Sequence, residues 1–223
     1  VWVDVLVAVI ATLISGIVQA DYHGPIVRFT GQTSQYAAGS KPTTNAAPTL
    51  SADGTKLYGV TEWGGPHNRG VVFQVDLDGK NYTRLYSFGS PDLSNGAKPI
   101  GKPLLHEGKL YGLTNYGGGN LNGALYELDV NTKSLRVLHS FMGYSNDDGQ
   151  NPSGSLILFG STLYGLTTFG GTNPQIQGST GYGTIFSFDL DTETYTKRHD
   201  FDGGANGHAP AGSLTLVGDT LYG

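Results

Sequence analysis

The sequence contains no cysteine. Disulfides, thiolate metal sites and a thiol nucleophile are therefore excluded, and the absence fits an extracellular or envelope location. Charge is also scarce. Only 14% of residues are charged and the net charge is -5, which argues against a nucleic-acid partner, because phosphate binding needs clustered Lys and Arg. There is no Gly-x-Ser-x-Gly elbow, no His-Glu-x-x-His and no Gly-Lys-Ser/Thr phosphate loop. A long apolar run occurs once, in the first twenty residues. Glycine, by contrast, is abundant: 35 of 223 residues, with 10 prolines. That is the composition of a turn-rich all-β chain long enough for one domain with a real core.

The glycines recur in a pattern. "LYG" stands at Leu57–Gly59, Leu110–Gly112, Leu163–Gly165 and Leu221–Gly223, at steps of 53, 53 and 58 residues. Its surroundings return with it. "LYGVTEWGG", "LYGLTNYGG" and "LYGLTTFGG" share Thr61, Thr114 and Thr167. "GVVFQVD", "GALYELD" and "GTIFSFD" end at Asp76, Asp129 and Asp189. Apolar runs then end at Phe88, Phe141 and Phe201, each followed by Gly-x-x-Pro: Gly96–Pro99, Gly149–Pro152 and Gly207–Pro210.

Each unit reads as four short strands, exemplified by "SLILFG", "TLYGLT", "GTIFSFDL" and "YTKRHDF", separated by glycine- and Asx-rich turns. "DLDG" at Asp76–Gly79 predicts a tight hairpin, since Asp-Gly supplies the positive φ such turns need. Four antiparallel strands in about fifty residues, repeated, describe a β-propeller blade. The expected fold is all-β: a β-propeller-like array of about 3.5 four-stranded blades over residues 21–223. The units run approximately 48–101, 102–154 and 155–212, with a partial one at 213–223. Phe73, Tyr126, Phe186, Phe88, Phe141 and Phe201 are the expected inter-blade core. "PIVRFTG" at Pro25–Gly31 reads as a fourth strand, with Phe29 in the role of Phe88. Three and a half blades predict a small closed ring, a piece of a larger ring, or a homo-oligomer covering the open faces.

Residues 1–20, "VWVDVLVAVIATLISGIVQA", form a hydrophobic segment with small residues before Asp21, as in an export signal or uncleaved membrane anchor. "VWVDVLVAVIA" also resembles the N-terminal helix of type IV pilins, with Asp4 at that family's acidic position. That resemblance implies a filament subunit. A buried helix or strand is the third reading. The first two place the following domain in the extracellular space or at the cell surface.

The repeated phrases "LYGLTTFGG", "GYGTIFSFDLDTETYTKRHDF" and "NGHAPAGSLTLVGDTLYG" resemble the GloVer tandem repeat of exported bacterial proteins. The resemblance covers about Thr49 to Gly223. It implies a secreted or surface propeller-like domain, without a settled activity and without catalytic residues to carry over.

Residues that recur in every blade are explained by the blade, so function is expected where blades differ. The loop "EWGGPHNR" carries Trp63, His67, Asn68 and Arg69, an aromatic platform beside polar donors that suits a glycan or a protein surface. His139 and His199 share one repeat position, two residues before the Phe. They are either half-polar rings that the strand favours or general bases facing an axial channel. His23, His67, His106 and His208 lie elsewhere. Asp147, Asp148 and Asp202, on glycine-bent loops, are either turn caps or hard oxygen ligands, for which Ca²⁺ is the fitting cofactor. The competing functions are therefore a binding or adhesion module, a Ca²⁺-dependent lactonase or esterase, and a filament subunit.

Overall fold

The computed structural model describes residues 40–42, 47–172, 181–205 and 207–223. The readings made for residues 1–20, His23, Pro25–Gly31 and Phe29 lie outside them. Among the described residues no helix is long and apolar enough to cross a membrane.

The chain forms a β-propeller-like series of antiparallel sheets. The first holds β1 (Ser40–Pro42), β2 (Thr49–Leu50), β3 (Lys56–Trp63), β4 (Val71–Asp76) and β5 (Thr83–Ser87), with β1 and β2 both pairing with β3. The second runs in order β6 (Ala97–His106), β7 (Lys109–Tyr116), β8 (Ala124–Asp129) and β9 (Leu135–Ser140). The third repeats it as β10 (Gly149–Phe159), β11 (Thr162–Gly170), β12 (Thr184–Asp189) and β13 (Thr194–Asp200). A two-stranded sheet follows, β14 (Thr215–Val217) and β15 (Thr220–Tyr222).

The glycine of each Leu-Tyr-Gly is a close-approach position. Gly59, Gly112 and Gly165 lie directly across the sheet from Phe73, Tyr126 and Phe186. A Cβ on Gly59 or Gly165 would sit 2.5 Å from the ring carbon Cζ of Phe73 or Phe186. The missing side chain lets the aromatic lie over the neighbouring strand. It also leaves the ring free to face the preceding sheet. Phe88 meets Tyr126 edge-on at 5.2 Å, and Phe141 meets Phe186 at 5.1 Å. Two apolar clusters result. Val60, Val72 and Phe88 pack with Leu110, Tyr126 and Leu128, and Leu113, Leu125 and Phe141 pack with Leu163, Phe186 and Phe188. Four of the six aromatics expected to build the inter-blade core, Phe88, Tyr126, Phe141 and Phe186, thus meet across blades, each such pair adding about 0.5–1.5 kcal/mol beyond area burial, while Phe73 clusters within the first sheet and Phe201 is half-buried.

Two of the three Gly-x-x-Pro segments run into strands. Gly207–Pro210 lies outside any strand, whereas Gly96–Pro99 leads into β6 and Gly149–Pro152 begins β10, both longer than the predicted "SLILFG"-type runs. Proline is tolerated there because both are edge strands of their own sheets. A register shift between Ile100 and Leu104, and another between Ser153 and Ile157, absorbs the irregularity. The residue before each proline (Lys98, Asn151, Ala209) has positive φ. Its N–H reaches back 2.8 Å to the preceding blade, to the carbonyls of Arg69, Asn122 and Tyr182 respectively. Blades are therefore joined by a repeated backbone hydrogen bond as well as by apolar packing.

Candidate functional site

Two sets of loops gather at one end of the array: those joining second to third strands, and those joining one sheet to the next. The opposite end carries the tight hairpins. There Asp129 accepts from the N–H groups of Asn131 and Thr132, and Asp189 from those of Asp191 and Thr192. The recurring aspartates are turn residues, as the Asx chemistry requires. Thr61, Thr114 and Thr167 are fully buried and hydrogen-bond within their own blades.

At the loop end, β3 and β7 finish on the aromatics Trp63 and Tyr116, and Phe169 stands one residue before the end of β11. Trp63 and Tyr116 are half-buried and Phe169 is exposed. The Lys98 ammonium, from the next blade, lies 4.6 Å from the Trp63 ring centre, within cation–π range. His67 is exposed and Arg69 half-buried. Both flank Gly89, where an added Cβ would sit 2.8 Å from His67 Cβ and 2.7 Å from Arg69 Cγ. Asn68 has a different task. It has φ 51° and its Oδ1 accepts the Gly64 N–H at 2.9 Å, shaping the loop. Trp63, His67 and Arg69 therefore remain as a potential contact surface. Tyr116, Phe169 and Lys98 extend it and were not singled out from the sequence, although counting 53 residues on from Trp63 reaches Tyr116 and then Phe169.

Between the second and third sheets lies a buried polar knot. His139 Nε2 is 2.9 Å from Asp148 Oδ2, and the Met142 N–H donates to the same oxygen at 2.9 Å. Asp148 Oδ1 accepts from Tyr195 Oη at 2.6 Å and from Gly149 N–H at 2.6 Å. The His139 ring lies flat on Tyr195, with centres 3.6 Å apart and planes within 3°. Burial pushes the Asp148 carboxyl up, but the hydrogen bonds from His139, Tyr195 and Met142 outweigh it and hold the group below its usual range. A carboxylate is acceptor-only, so Nε2 of His139 carries the proton of that bond. Beside the knot, Lys197 is paired with Asp147 and, at 2.7 Å, with Asp200.

His139 and His199 are not brought together. His199 is exposed on β13 and touches Phe201 edge-on at 5.2 Å. The expected Ca²⁺ set, Asp147, Asp148 and Asp202, is not assembled either. Both oxygens of Asp148 are already engaged, Asp147 is held by Lys197, and Asp202 Oδ1 accepts the Gly204 N–H at 2.9 Å in its own turn. Among the described residues no three His, Asp or Glu side chains are grouped to hold a metal ion. These residues do not fit Ca²⁺, which takes six to eight oxygens.

The family described as the Gloeobacter/Verrucomicrobia repeat matches residues 16–223. No curated protein matches the chain. Among solved structures it is similar to a Mycobacterium tuberculosis puromycin-hydrolyzing peptidase, with 21% identity and TM-score 0.43, over 68% of this chain and 20% of that one. An oligogalacturonate lyase in complex with manganese is similar at 15% identity and TM-score 0.43, over 70% of this chain and 41% of that one. A nidogen/laminin complex chain is similar at 13% identity and TM-score 0.39, over 76% and 69%. The chain thus spans about a fifth of the peptidase and two fifths of the lyase.

Proposed function

This chain belongs to the Gloeobacter/Verrucomicrobia repeat family, and from that premise we propose that it is a binding module, displayed outside the cell, that holds a glycan at its loop end. The observation that supports this reading is the aromatic at or next to the end of each of β3, β7 and β11. Trp63, Tyr116 and Phe169 recur at one end of the array, partly exposed, with Lys98, His67 and Arg69 among the loops beside the first of them. Sugar rings present C–H faces that pack on aromatic rings and hydroxyls that need polar partners. Loops carried on a rigid sheet scaffold supply both. Export is the part of the proposal that comes from the sequence alone, from residues 1–20 and the lack of cysteine.

The lactonase-type reading finds no support in these side chains. It needs Asp147, Asp148 or Asp202 free to ligate Ca²⁺ and a histidine poised as base, whereas Asp148 and His139 are turned on each other.

A glycan array probed with the intact chain and with Trp63→Ala tests the proposal. Binding to a defined glycan class, weakened on the order of tenfold in the variant, is the expected result. Silence across the array, or undiminished binding by a folded variant, would overturn it.

A further inference from the structure

At the hairpin end of the array a cleft of about 300 Å³ lies between the second and third sheets. Its floor is apolar, where Tyr111 packs with Phe188 and Leu190. Tyr111 is only 4% exposed, yet its hydroxyl has no hydrogen-bond partner among the described residues. A buried hydroxyl is costly in that state unless something outside the fold completes it. This one belongs to a residue that lines the cleft.

The walls depart from the repeat. Glu127 stands opposite Arg136, where the first sheet sets Gln74 against Thr83 and the third sets Ser187 against Thr196. Glu193 takes the place of Lys80 and Lys133. Glu107 has φ 48° at a hairpin position that Gly54 and Gly160 fill in the other blades, and a non-glycine residue in that region is uncommon. The blade itself explains none of these choices.

Both fixed cations of the cleft are already engaged. Glu127 accepts from Lys109 Nζ at 3.2 Å and from Arg136 Nε at 2.9 Å, and Arg136 Nη2 reaches Glu193 at 2.8 Å. Among the described residues Glu107 and Asp191 have no Lys or Arg partner, Glu107 lying 3.9 Å from His106. Four carboxylates thus face two cations, a net charge of −2 with His106 neutral. Burial pushes the Tyr111 hydroxyl pKa up, and Glu127 and Glu107 push it further against the pull of Arg136. The field at that oxygen is therefore negative. What the cleft has left to offer is acceptors beside apolar surface. Among the described residues no three His, Asp or Glu side chains are grouped to hold a metal ion, so the complementary ligand is an organic cation.

We propose that this cleft binds a small linear alkyl diamine. One ammonium donates to Tyr111 Oη, and the carboxylates of Glu107 and Asp191 balance the charge. The methylene chain covers Phe188 and Leu190, whose apolar surface gains by the contact. The volume is at the small end for a ligand cavity, which fits a short chain. The site lies at the opposite end from Trp63 and is independent of the glycan reading.

Titration calorimetry of the full chain with 1,5-diaminopentane at low ionic strength tests this. Saturable one-to-one binding is expected, with none for pentane-1,5-diol, which has the same carbon chain without the charge. Tyr111→Phe keeps the ring and the net charge and is expected to weaken binding on the order of tenfold. Asp191→Asn is expected to weaken it as well. Tyr58→Phe, at the same repeat position in the first blade, is expected to leave it unchanged. Tyr111→Phe is also expected to keep or raise the thermal midpoint, because the hydroxyl has no partner to lose. No binding by the parent, equal binding of the diol, or full affinity in Tyr111→Phe would overturn the proposal. A lowered midpoint in that variant would overturn it too, since the hydroxyl would then be bonded within the protein.

Discussion

His139 Nε2 lies 2.9 Å from Asp148 Oδ2, and one blade earlier Asn95 Nδ2 lies 2.7 Å from Tyr86 Oη. The residues correspond: Tyr86 and His139 both stand two before the core Phe, and Asn95 and Asp148 both stand just before the glycine of Gly-x-x-Pro. The contact is a blade feature carried out with different chemistry. Each pair ties the end of a fourth strand to the loop that enters the next blade. Only the second-blade version uses a buried carboxylate, and that makes it sensitive to acid.

The sign of that sensitivity follows from the depressed folded-state pKa of Asp148, below the ordinary 3.8. Its contribution is fully present above about pH 4 and is lost as pH falls through the folded value. Asp148→Asn removes the charge and mismatches at least one of the four donors, for an expected cost of about 1–3 kcal/mol at pH 7. In paired denaturant titrations the gap between parent and variant is expected to narrow below about pH 4. A gap that stays constant down to pH 2 would show that the carboxylate charge is not what the site uses.

Tyr126 presents the reverse case. Its ring is fully buried and its Oη has no hydrogen-bond partner, while the equivalent positions hold Phe73 and Phe186. Burial alone pushes its hydroxyl pKa up. An unsatisfied buried hydroxyl costs about 1–3 kcal/mol. Tyr126→Phe is therefore expected to raise the urea midpoint without changing the slope. A loss of stability would mean that the hydroxyl has a partner in solution.

These residues also mark what could be read in advance. The 53-residue step located the blades, the hairpin aspartates and the inter-blade aromatics, because each obeys a local rule of alternation or turn chemistry. The exception was Gly-x-x-Pro. Proline and glycine together signal a loop, but Pro99 and Pro152 lie inside edge strands, where a missing N–H costs no ladder bond. The His139–Asp148–Tyr195 knot was half legible. His139 and Asp148 were singled out, but as a base and a ligand. Tyr195, whose stacking and hydrogen bond make the group structural, comes from the next blade 47 residues beyond Asp148, and no local pattern connects them. Asn68 was singled out as a contact residue, and the sequence did not show that its positive φ and its Oδ1 also shape the turn.

Gly165 gives a sharper test of close approach. Its φ is not in the left-handed region, so alanine brings no backbone strain, and the nearest obstacle is the Phe186 ring 2.5 Å from the new methyl, with Leu156 Cδ2 next at 3.1 Å. Overpacking of this kind costs about 1–3 kcal/mol. Gly165→Ala is expected to destabilise by that amount, and Gly165→Ala/Phe186→Leu is expected to recover part of it, because the smaller side chain vacates the clash. Additive losses in the double-mutant cycle would show that the glycine is needed for something other than the ring.

The loop-end aromatics allow function to be separated from folding. Trp63 is half-buried beneath the Lys98 ammonium, and that contact is worth about 0.5–1 kcal/mol at an exposed site. Lys98→Met keeps the aliphatic stem over the ring and removes the charge, so stability is expected to change by less than about 1 kcal/mol. If a glycan stacks on Trp63, the face that Lys98 covers has to be yielded or shared. Lys98→Met then alters affinity for a neutral sugar far less than Trp63→Ala does, and it weakens an acidic sugar selectively because the ammonium is lost. Phe169→Ala, two blades away, is expected to weaken only ligands long enough to bridge the arc. Titration calorimetry with short and long oligomers of one glycan distinguishes these outcomes. Equal losses for short and long ligands in Phe169→Ala would mean that the three aromatics do not act as one surface.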